Sequence, residues 1–183
     1  MTENELIDCI LDHNNNCFKI LVDKYQSLIL NTCFGFLKYK SDAEDVTQEV
    51  FIEIYHSIYK FNRKSSLSTW IYRISVNKSL DYIRNNKKRN IFISIEKFIF
   101  NISDDSIDTI SNNIQDEKEA ILHITINRLS KNQKIAFTLH KFRNLSYKEI
   151  AEIMELSLSA VEGLIHRANK NVRKELLNYY KKK

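Results

Sequence analysis

The sequence predicts an all-α fold made of two small helical domains joined by a flexible linker. Proline is absent from the 183 residues, and glycine occurs only at Gly35 and Gly163. That composition argues against a β-rich fold with tight hairpins and against a glycine-rich phosphate loop. Apolar residues recur at helical spacing on both sides of an acidic stretch rich in Ser, Asn and Asp, which predicts the linker.

The expected helix starts carry four motifs in which a serine precedes Glu or Gln by three residues. In such a capping box the serine hydroxyl accepts a bond from a backbone N–H of the first turn, and the acid or amide bonds back to the serine N–H. The motifs are Ser41–Glu44, Ser130–Gln133, Ser146–Glu149 and Ser159–Glu162. With the apolar periodicity they predict helices near residues 3–12, 16–37, 41–59, 68–85, 117–129, 131–142, 147–154 and 159–178.

The net charge of +5 is distributed unevenly along the chain. Residues 91–124 carry two basic and seven acidic side chains, whereas residues 125–183 carry 13 basic and five acidic ones. We therefore predict one domain at residues 1–90, an acidic flexible linker at 91–116 and a second domain at 117–183. The basic second domain favours a polyanionic partner, usually nucleic acid, over the alternative of a solvated basic surface.

Membrane and enzyme functions find no support in the sequence. Charged residues make up 28% of the chain and no apolar run approaches 18 residues, so we expect no membrane insertion. The N-terminal sequence MTENELIDCI is acidic, so we expect a cytoplasmic protein without a secretory signal. The chain lacks HExxH, P-loop and Gly-x-Ser-x-Gly motifs, so we expect no catalytic residue and no cofactor.

The three cysteines, Cys9, Cys17 and Cys33, are an odd number without close pairing. This pattern predicts the reduced thiols of a cytoplasmic protein. Cys9, His13 and Cys17 recur every four residues, as metal ligands on a helix would, but Asn14–Asn16 is expected to break that helix. We therefore expect buried or incidental thiols and no metal.

Residues 146–177 have the pattern of a helix-turn-helix. A short helix at 147–154 and a turn at 155–158 precede a longer helix that starts at Ser159. The longer helix has one narrow apolar stripe, formed by Val161, Ile165, Ala168, Val172 and Leu176. Its opposite side is small and basic, with Ser159, Gly163, His166, Arg167, Lys170, Arg173 and Lys174. Such a helix suits the DNA major groove; an ordinary surface helix of a bundle is the alternative.

The helix at 41–59 has two faces of different character. The core-facing arc is apolar, with Ala43, Val46, Thr47, Val50, Phe51, Ile54 and Ile58. The opposite face places the apolar Ile52 and Tyr55 among Asp45, Gln48, Glu49 and His56. An acidic rim around an apolar centre predicts a surface for a protein partner with basic residues. A solvated face with two stray apolar residues is the alternative.

Residues 59–73, YKFNRKSSLSTWIYR, mix aromatic and basic side chains. This composition suits single-stranded nucleic acid, because basic groups hold the backbone while rings hold unstacked bases. On the following helix a polar stripe is formed by Arg73, Asn77, Asp81 and Arg84. The alternative for the single tryptophan, Trp70, is a place in the core.

Three segments together resemble the extracytoplasmic-function group of bacterial RNA polymerase sigma factors, in the sigma-70 family. DAEDVTQEVFIEIY (Asp42–Tyr55) is similar to the group's polymerase-clamp-binding segment, and STWIYRISVNKSLDYIR (Ser68–Arg84) to its promoter-melting segment. LSYKEIAEIMELSLSAVEGLIHRA (Leu145–Ala168) is similar to the domain that reads the −35 promoter element. The resemblance covers nearly the whole chain except the linker.

The resemblance implies three sets of contacts. The set for the clamp helices of the largest polymerase subunit is Asp45, Gln48, Glu49 and Ile52. The set for the −10 element is Phe61, Asn62, Arg63, Lys64, Ser65, Ser68, Arg73, Asn77 and Arg84. The set for the −35 element is Ser159, Ala160, Glu162, Gly163, His166, Arg167 and Lys170. In such proteins Phe61–Ser68 would be the loop that captures a flipped −10 base, and the acidic linker would thread polymerase channels.

The implied function is a non-catalytic specificity subunit that binds core polymerase, at clamp and flap, and promoter DNA. An anti-sigma factor is a further candidate partner. Glu162 and Leu164 stand where the group often has basic residues, and Ala160 replaces a frequent Thr, so the −35 preference is open. The alternative function is a two-domain helix-turn-helix regulator that acts without core polymerase.

Overall fold

The computed structural model of the protein describes residues 1–12, 14–37, 39–100 and 122–181, and their side chains except those of 87–100 and 179–180. All regular structure in these ranges is helical, which confirms the predicted all-α class. The helices are α1 Glu3–Leu11, α2 Asn15–Phe36, α3 Lys40–Ser57, α4 Leu67–Phe100, α5 at 122–127, α6 Lys131–Arg143, α7 Tyr147–Met154 and α8 Leu158–Lys181. A single 3-10 turn, Ile58–Lys60, follows α3.

The helix α4 continues past its predicted end at residue 85 and reaches at least Phe100. The polar sequence NNKKRN does not break it, because this sequence contains no Gly or Pro, and Lys and Arg are good helix formers. Residues 91–100 of the expected linker are therefore helical. Residues 101–116 of that linker, and 117–121 of the helix expected to follow it, lie outside the described residues.

Two of the predicted helix starts differ from the structure in detail. The helix α3 begins at Lys40 with Tyr39 at the N-cap position, so the capping box of Ser41 is wrong. Ser130 does occupy the N-cap of α6, but its side chain makes no cap hydrogen bond. Hydrophobic periodicity predicted that both helices exist. It did not determine which residue occupies the N-cap of α3 or whether the Ser130 side chain caps α6.

The capping boxes that form lie at α1 and α7. At α7, Ser146 Oγ accepts from the Glu149 N–H at 3.3 Å and Glu149 Oε2 accepts from the Ser146 N–H at 2.8 Å, as predicted. These bonds lower the pKa of Glu149. At α1 an equivalent box, missed in the sequence, joins Thr2 and Glu5.

The helix α8 begins at Leu158, one residue before the predicted start. Its cap is Ser157, whose Oγ accepts from the backbone N–H of Ala160 at 3.2 Å. The capping box predicted between Ser159 and Glu162 is therefore wrong.

The N-terminal half packs α2, α3 and α4 together, with α1 across one end. The predicted inner arc of α3 is buried apart from Phe51, which is half-buried. The fully buried side chains of the N-terminal half include Leu21, Ile29, Ile54 and Ile71. At roughly 1.5–3 kcal/mol for each aliphatic side chain removed from water, this core is the main stabilising contribution in that half.

The C-terminal half is built from α5 to α8 and divides its apolar residues between two clusters. Ile126, Phe137, Ala168 and Val172 form a cluster of their own. Ile135, Leu139, Ile150, Ile153, Val161 and Ile165 belong instead to the cluster that includes the N-terminal core. The predicted stripe of α8 is thus buried, with Leu176 partly buried, and its residues are divided between the two clusters.

The two halves are in direct contact through two helix pairs: α2 packs on α6, and α4 packs on α7. Gly35 of α2 allows the first approach, because a Cβ there would lie 2.9 Å from Thr138 Cγ2 and 3.4 Å from Phe142 Cβ. Beside it, the buried Lys134 Nζ lies 5.9 Å from the ring centroid of Phe36. A small residue on α2 therefore permits a close crossing of α6.

Two of the three cysteines are paired, contrary to the predicted free thiols. Cys9 of α1 and Cys17 of α2 form a disulfide, with their Cα atoms 6.0 Å apart. The turn between the two helices brings residues eight positions apart side by side, which sequence spacing alone did not indicate. Cys33 is fully buried, and burial raises the pKa of its thiol.

Two negative findings apply to the described part of the chain. It holds no group of three or more His, Cys, Asp or Glu side chains that is suited to a metal ion. Its helices also include none that is long and apolar enough to cross a membrane.

Candidate nucleic-acid and protein interfaces

The outer face of α3 presents an acidic rim around an apolar centre, as the sequence predicted. Asp45, Gln48 and Glu49 are exposed, and Ile52 keeps 59% of its surface in contact with solvent. An ion pair of 3.0 Å between Glu53 Oε2 and Lys78 Nζ links α3 to α4 beside this face. The four predicted residues therefore lie together on a helix whose orientation is set by its buried side.

Tyr55 extends the apolar centre of this face, and its ring packs against neighbouring aromatic rings. Its ring meets the ring of Phe18 of α2 edge-on, with centroids 5.1 Å apart, and that of His56 at 5.6 Å. Nearly half of the tyrosine surface is still exposed. An aromatic ring that is packed on one side and exposed on the other is typical of a residue that anchors an interface. Its neighbours already restrict the side chain, so little conformational freedom is lost on binding.

The segment Phe61–Ser68, called here the −10 loop after the role implied for it, is ordered by its own hydrogen bonds. Asn62 Oδ1 accepts from the Lys64 N–H at 3.1 Å. Ser66 Oγ accepts from the Thr69 N–H at 3.1 Å and so caps the first turn of α4. Arg63, between them, has a φ of 58°, the left-handed region that few non-glycine residues adopt.

Phe61 and Trp70 belong more to the core than to the surface, whereas Tyr59 is 66% exposed. The rings of Phe61 and Trp70 lie 5.3 Å apart, tilted against each other, and both are half-buried against the hydrophobic core. Of the two interpretations for Trp70, the structure supports the core position. The exposed side chains of the −10 loop are polar: Asn62, Arg63, Lys64 and Ser66 are exposed, and Ser65 and Ser68 are half-buried.

Arg73, predicted to contact the −10 element, instead binds the end of α7 in this arrangement. Its Nη2 donates to the Glu152 carbonyl oxygen at 2.7 Å, and its Nε donates to the Ile153 carbonyl oxygen at 3.1 Å. Its Nη1 pairs with Glu155 Oε1 at 2.8 Å. The guanidinium therefore donates to carbonyls of the last turn of α7, where regular intrahelical bonding ends; the Glu152 carbonyl also accepts from the Glu155 N–H at 3.4 Å.

Asn77 lies one turn further along α4, at the boundary between the two halves. It is exposed, but it lines a cavity of about 290 Å³ together with Arg73 and with Lys131 and Asn132 of α6. Arg84, the last residue of the predicted polar stripe, pairs with Asp81 of its own helix at 3.0 Å. The predicted −10 residues thus divide into an open loop, two residues at the boundary with the C-terminal half (Arg73 and Asn77) and the exposed Arg84.

The predicted −35 residues lie together at the start of α8 and are accessible. Ser159, Glu162, His166, Arg167 and Lys170 are exposed, and Ala160 and Gly163 are half-buried. A Cβ on Gly163 would lie 3.2 Å from Arg167 Nη1, so the arginine folds back over the glycine. The face is basic beyond its first turn, where Lys170, Arg173 and Lys174 line a shallow groove with His166.

Acidic residues of α1 contact the −10 loop, which the sequence did not predict. Asp8 pairs with the guanidinium of Arg63. Glu3 Oε2 accepts from the Leu67 N–H at 3.4 Å, while its Oε1 accepts from the Tyr25 hydroxyl at 2.8 Å. The acidic character of the N-terminus was visible in the sequence, but its partners depend on the tertiary fold.

Two family descriptions match the chain in the same order as the two helical halves. Sigma-70 region 2 matches residues 21–89, and Sigma-70, region 4 matches residues 120–172. The chain is 31% identical over 180 residues to the RNA polymerase sigma-H factor of Pseudomonas aeruginosa, covering 95% of this chain and 93% of that protein. It is 30% identical to the ECF RNA polymerase sigma-E factor of Haemophilus influenzae, over 96% of each.

Solved structures with the same fold include CnrH in complex with the cytosolic domain of CnrY. The TM-score is 0.68 at 22% identity, with 97% of each chain covered. A second is the sigma factor RpoE in complex with the anti-sigma factor NepR from Bartonella quintana, with a TM-score of 0.58 at 19% identity, covering 87% of this chain and 96% of that one. At these identities the likeness concerns the fold.

Proposed function

The chain belongs to the extracytoplasmic-function group of sigma-70 RNA polymerase sigma factors, and on that basis we propose which of its surfaces direct polymerase to promoters. The acidic face of α3 docks on core polymerase, the −10 loop and α4 open the promoter, and the start of α8 reads the −35 element. One observation carries this assignment: the α3 face and the α8 start remain exposed while the other sides of both helices are buried.

The α3 face, formed by Asp45, Gln48, Glu49 and Ile52, binds the basic clamp helices of the largest polymerase subunit. Its carboxylates supply charge complementarity, which accelerates encounter and fixes register. Ile52 and the supported ring of Tyr55 supply the apolar centre that becomes desolvated. The flap of polymerase is a second docking point, for the C-terminal half.

The experiment that tests this docking compares a charge reversal on the α3 face with one outside α3. Asp45→Lys combined with Gln48→Ala should weaken binding to core polymerase at least about tenfold, as expected when a charge at a docked interface is reversed. Asp12→Lys is the control and should bind as wild type does, because Asp12 is an exposed acid just after α1. Equal binding of the double variant and wild type, with equal helicity by circular dichroism, would refute the assignment.

The proposed −10 contacts lie on the N-terminal half, and the proposed −35 contacts lie on α8 of the C-terminal half. Exposed basic and polar side chains of the −10 loop suit the backbone of a melted strand. On α8, Ser159, Ala160, Glu162 and Gly163 approach base edges while His166, Arg167 and Lys170 hold phosphates. Glu162 is not engaged in a cap, so its carboxylate is available to accept from a cytosine amino group.

Full engagement of the −10 stripe requires the two halves to separate, because Arg73 must leave α7. In the closed arrangement Arg73 donates to two carbonyl oxygens of α7, whereas Asn77 is exposed at the edge of the cavity beside α6. We propose that polymerase binding favours the open arrangement. We also propose an inhibitory anti-sigma partner, since the solved neighbours of the same fold include a sigma factor bound to one.

The alternative of a regulator that works without polymerase explains the helix-turn-helix but not the α3 face. Co-purification with core polymerase distinguishes the two functions. We propose that the chain acts in the cytoplasm, where core polymerase is found, and contributes binding rather than catalysis.

A further inference from the structure

The −10 loop is held by a helix outside the segments assigned to promoter binding. Asp8 of α1 accepts a charge-assisted hydrogen bond from the guanidinium of Arg63, the most basic side chain at the tip of the loop. Glu3, one and a half turns earlier on α1, accepts from the backbone N–H of Leu67, where α4 begins. The two acids of one helix therefore contact the tip of the loop and its C-terminal end.

The position of Asp8 is fixed by the packing of its helix. Leu6, Ile7 and Ile10 on the other side of α1 are buried in the core. The disulfide between Cys9 and Cys17 ties the residue next to Asp8 to α2. Because α1 cannot easily move away, the carboxylate stays within reach of Arg63.

The surroundings of Arg63 constrain both its backbone and its side chain. Its backbone has a φ of 58°, which persists in a non-glycine residue only where neighbouring contacts impose it. Its side chain, about 41% exposed, points to an acid that is about 59% exposed. An ion pair this exposed to solvent is weak, so a competing anion is able to replace the carboxylate.

We infer that Asp8 sets the affinity of the −10 loop for a melted promoter strand by competing with a strand phosphate for Arg63. The inference rests on the proposed role of the −10 loop. Asp8 engages one N–H of Nη2 and partly neutralises the guanidinium, so a strand phosphate meets a weaker cation with fewer donors until Asp8 is released. A phosphate contact carries no base information, so Asp8 lowers affinity for every sequence alike.

The test uses holoenzyme and two fork templates with a single-stranded −10 region. One fork carries a promoter that this holoenzyme is found to use when its transcripts are sequenced, and the other carries a scrambled −10 strand. Asp8→Asn should bind both forks about three- to fivefold more tightly, in the range of exposed ion pairs. Its affinity should also fall more steeply with salt, by about one additional released ion.

Two further variants make the outcome specific. Asp12→Asn removes an exposed carboxylate just after α1 and should bind both forks as wild type does. Arg63→Gln should bind more weakly than wild type, and adding Asp8→Asn to it should change nothing further, because the competed group is gone.

The outcomes separate the inference from the function on which it rests. If Arg63→Gln weakens fork binding but Asp8→Asn binds like Asp12→Asn, the loop role stands and the inference is overturned. If Arg63→Gln has no effect on either fork, the loop role and the inference fail together. A gain for Asp8→Asn that persists in the Arg63→Gln background would show a general charge effect and also overturn the inference.

Discussion

Besides the apolar cluster that the two halves share, a single side chain, Arg73, makes several polar contacts between them. Its planar guanidinium reaches two carbonyl oxygens and one carboxylate of the α7 end at once. A lysine ammonium would keep the charge but has no fork of donors with which to hold three acceptors. The same side chain is proposed for the −10 strand, so its two roles are mutually exclusive.

We predict that Arg73→Lys loosens the closed arrangement by about 1.5–3 kcal/mol, the contribution of one hydrogen bond with a charged donor. Fluorescent labels on α3 and α8 of the free protein would report a longer mean distance in the variant. Arg84→Lys is the matched control, since Arg84 pairs only within its own helix, with Asp81. An unchanged distance in Arg73→Lys would mean that apolar packing alone holds the halves together.

The helix caps give a second prediction at the residue scale. Ser157→Ala should lower the free energy of unfolding by about 1 kcal/mol, because the Ala160 N–H loses its acceptor at the start of α8. Ser159→Ala, two residues later, should cost much less, although the sequence motif favours Ser159 as the cap. Urea denaturation of the two variants checks the order, and a larger loss in Ser159→Ala would contradict the cap seen here.

At the scale of elements, the sequence was informative wherever structure depends on near neighbours. The inner arc of α3 and the stripe of α8 follow from apolar spacing, and both are buried. The capping box of Ser146 also formed as predicted. The end of α4 was wrong because polarity was mistaken for a break, while helix continuation is limited by Gly and Pro rather than by charge.

The pairing of α1 with α2 through a disulfide leads to a third prediction. Closing a loop of about nine residues should stabilise the fold by roughly 2–3 kcal/mol, mainly by restricting the unfolded chain. The double variant Cys9→Ser, Cys17→Ser, or wild type in reductant, should lose that amount in urea denaturation. Reductant should not affect the double variant further, because Cys33 is buried and unpaired with another cysteine. Equal stability of oxidised and reduced wild type would contradict the prediction.

At the scale of the whole molecule, the sequence predicted independent domains and could not predict their contact. Ile135 and Ile153 have the same periodic spacing whether they complete a small domain or pack on a neighbour. Only the tertiary structure shows that they belong to a cluster shared with the N-terminal core. The same limit explains why Arg73 and Asn77 were assigned to DNA alone.

Gly35 provides the sharpest test of that contact. Gly35→Ala places a Cβ 2.9 Å from Thr138 Cγ2, so the Thr138 side chain or α6 itself must shift. We predict a cost of about 1–3 kcal/mol to the closed arrangement, typical of overpacking, and faster proteolysis between the halves. Gly163→Ala is the matched control, because it adds the same helix propensity but meets only the flexible end of Arg167 at 3.2 Å. Equal proteolysis rates in the two variants would argue against the contact.

The apolar cluster shared by the halves also has a consequence for measured affinities. A ligand that binds only the open arrangement shows an apparent dissociation constant equal to its intrinsic one divided by the open fraction. Every 1.4 kcal/mol that favours closure would therefore weaken about tenfold the binding of a DNA strand that needs Arg73 released from α7. The start of α8 is exposed in the closed arrangement, so this reduction does not apply to it. We therefore expect the free chain to bind −35 duplex DNA at close to its intrinsic affinity, and a −10 strand more weakly than it would with Arg73 released.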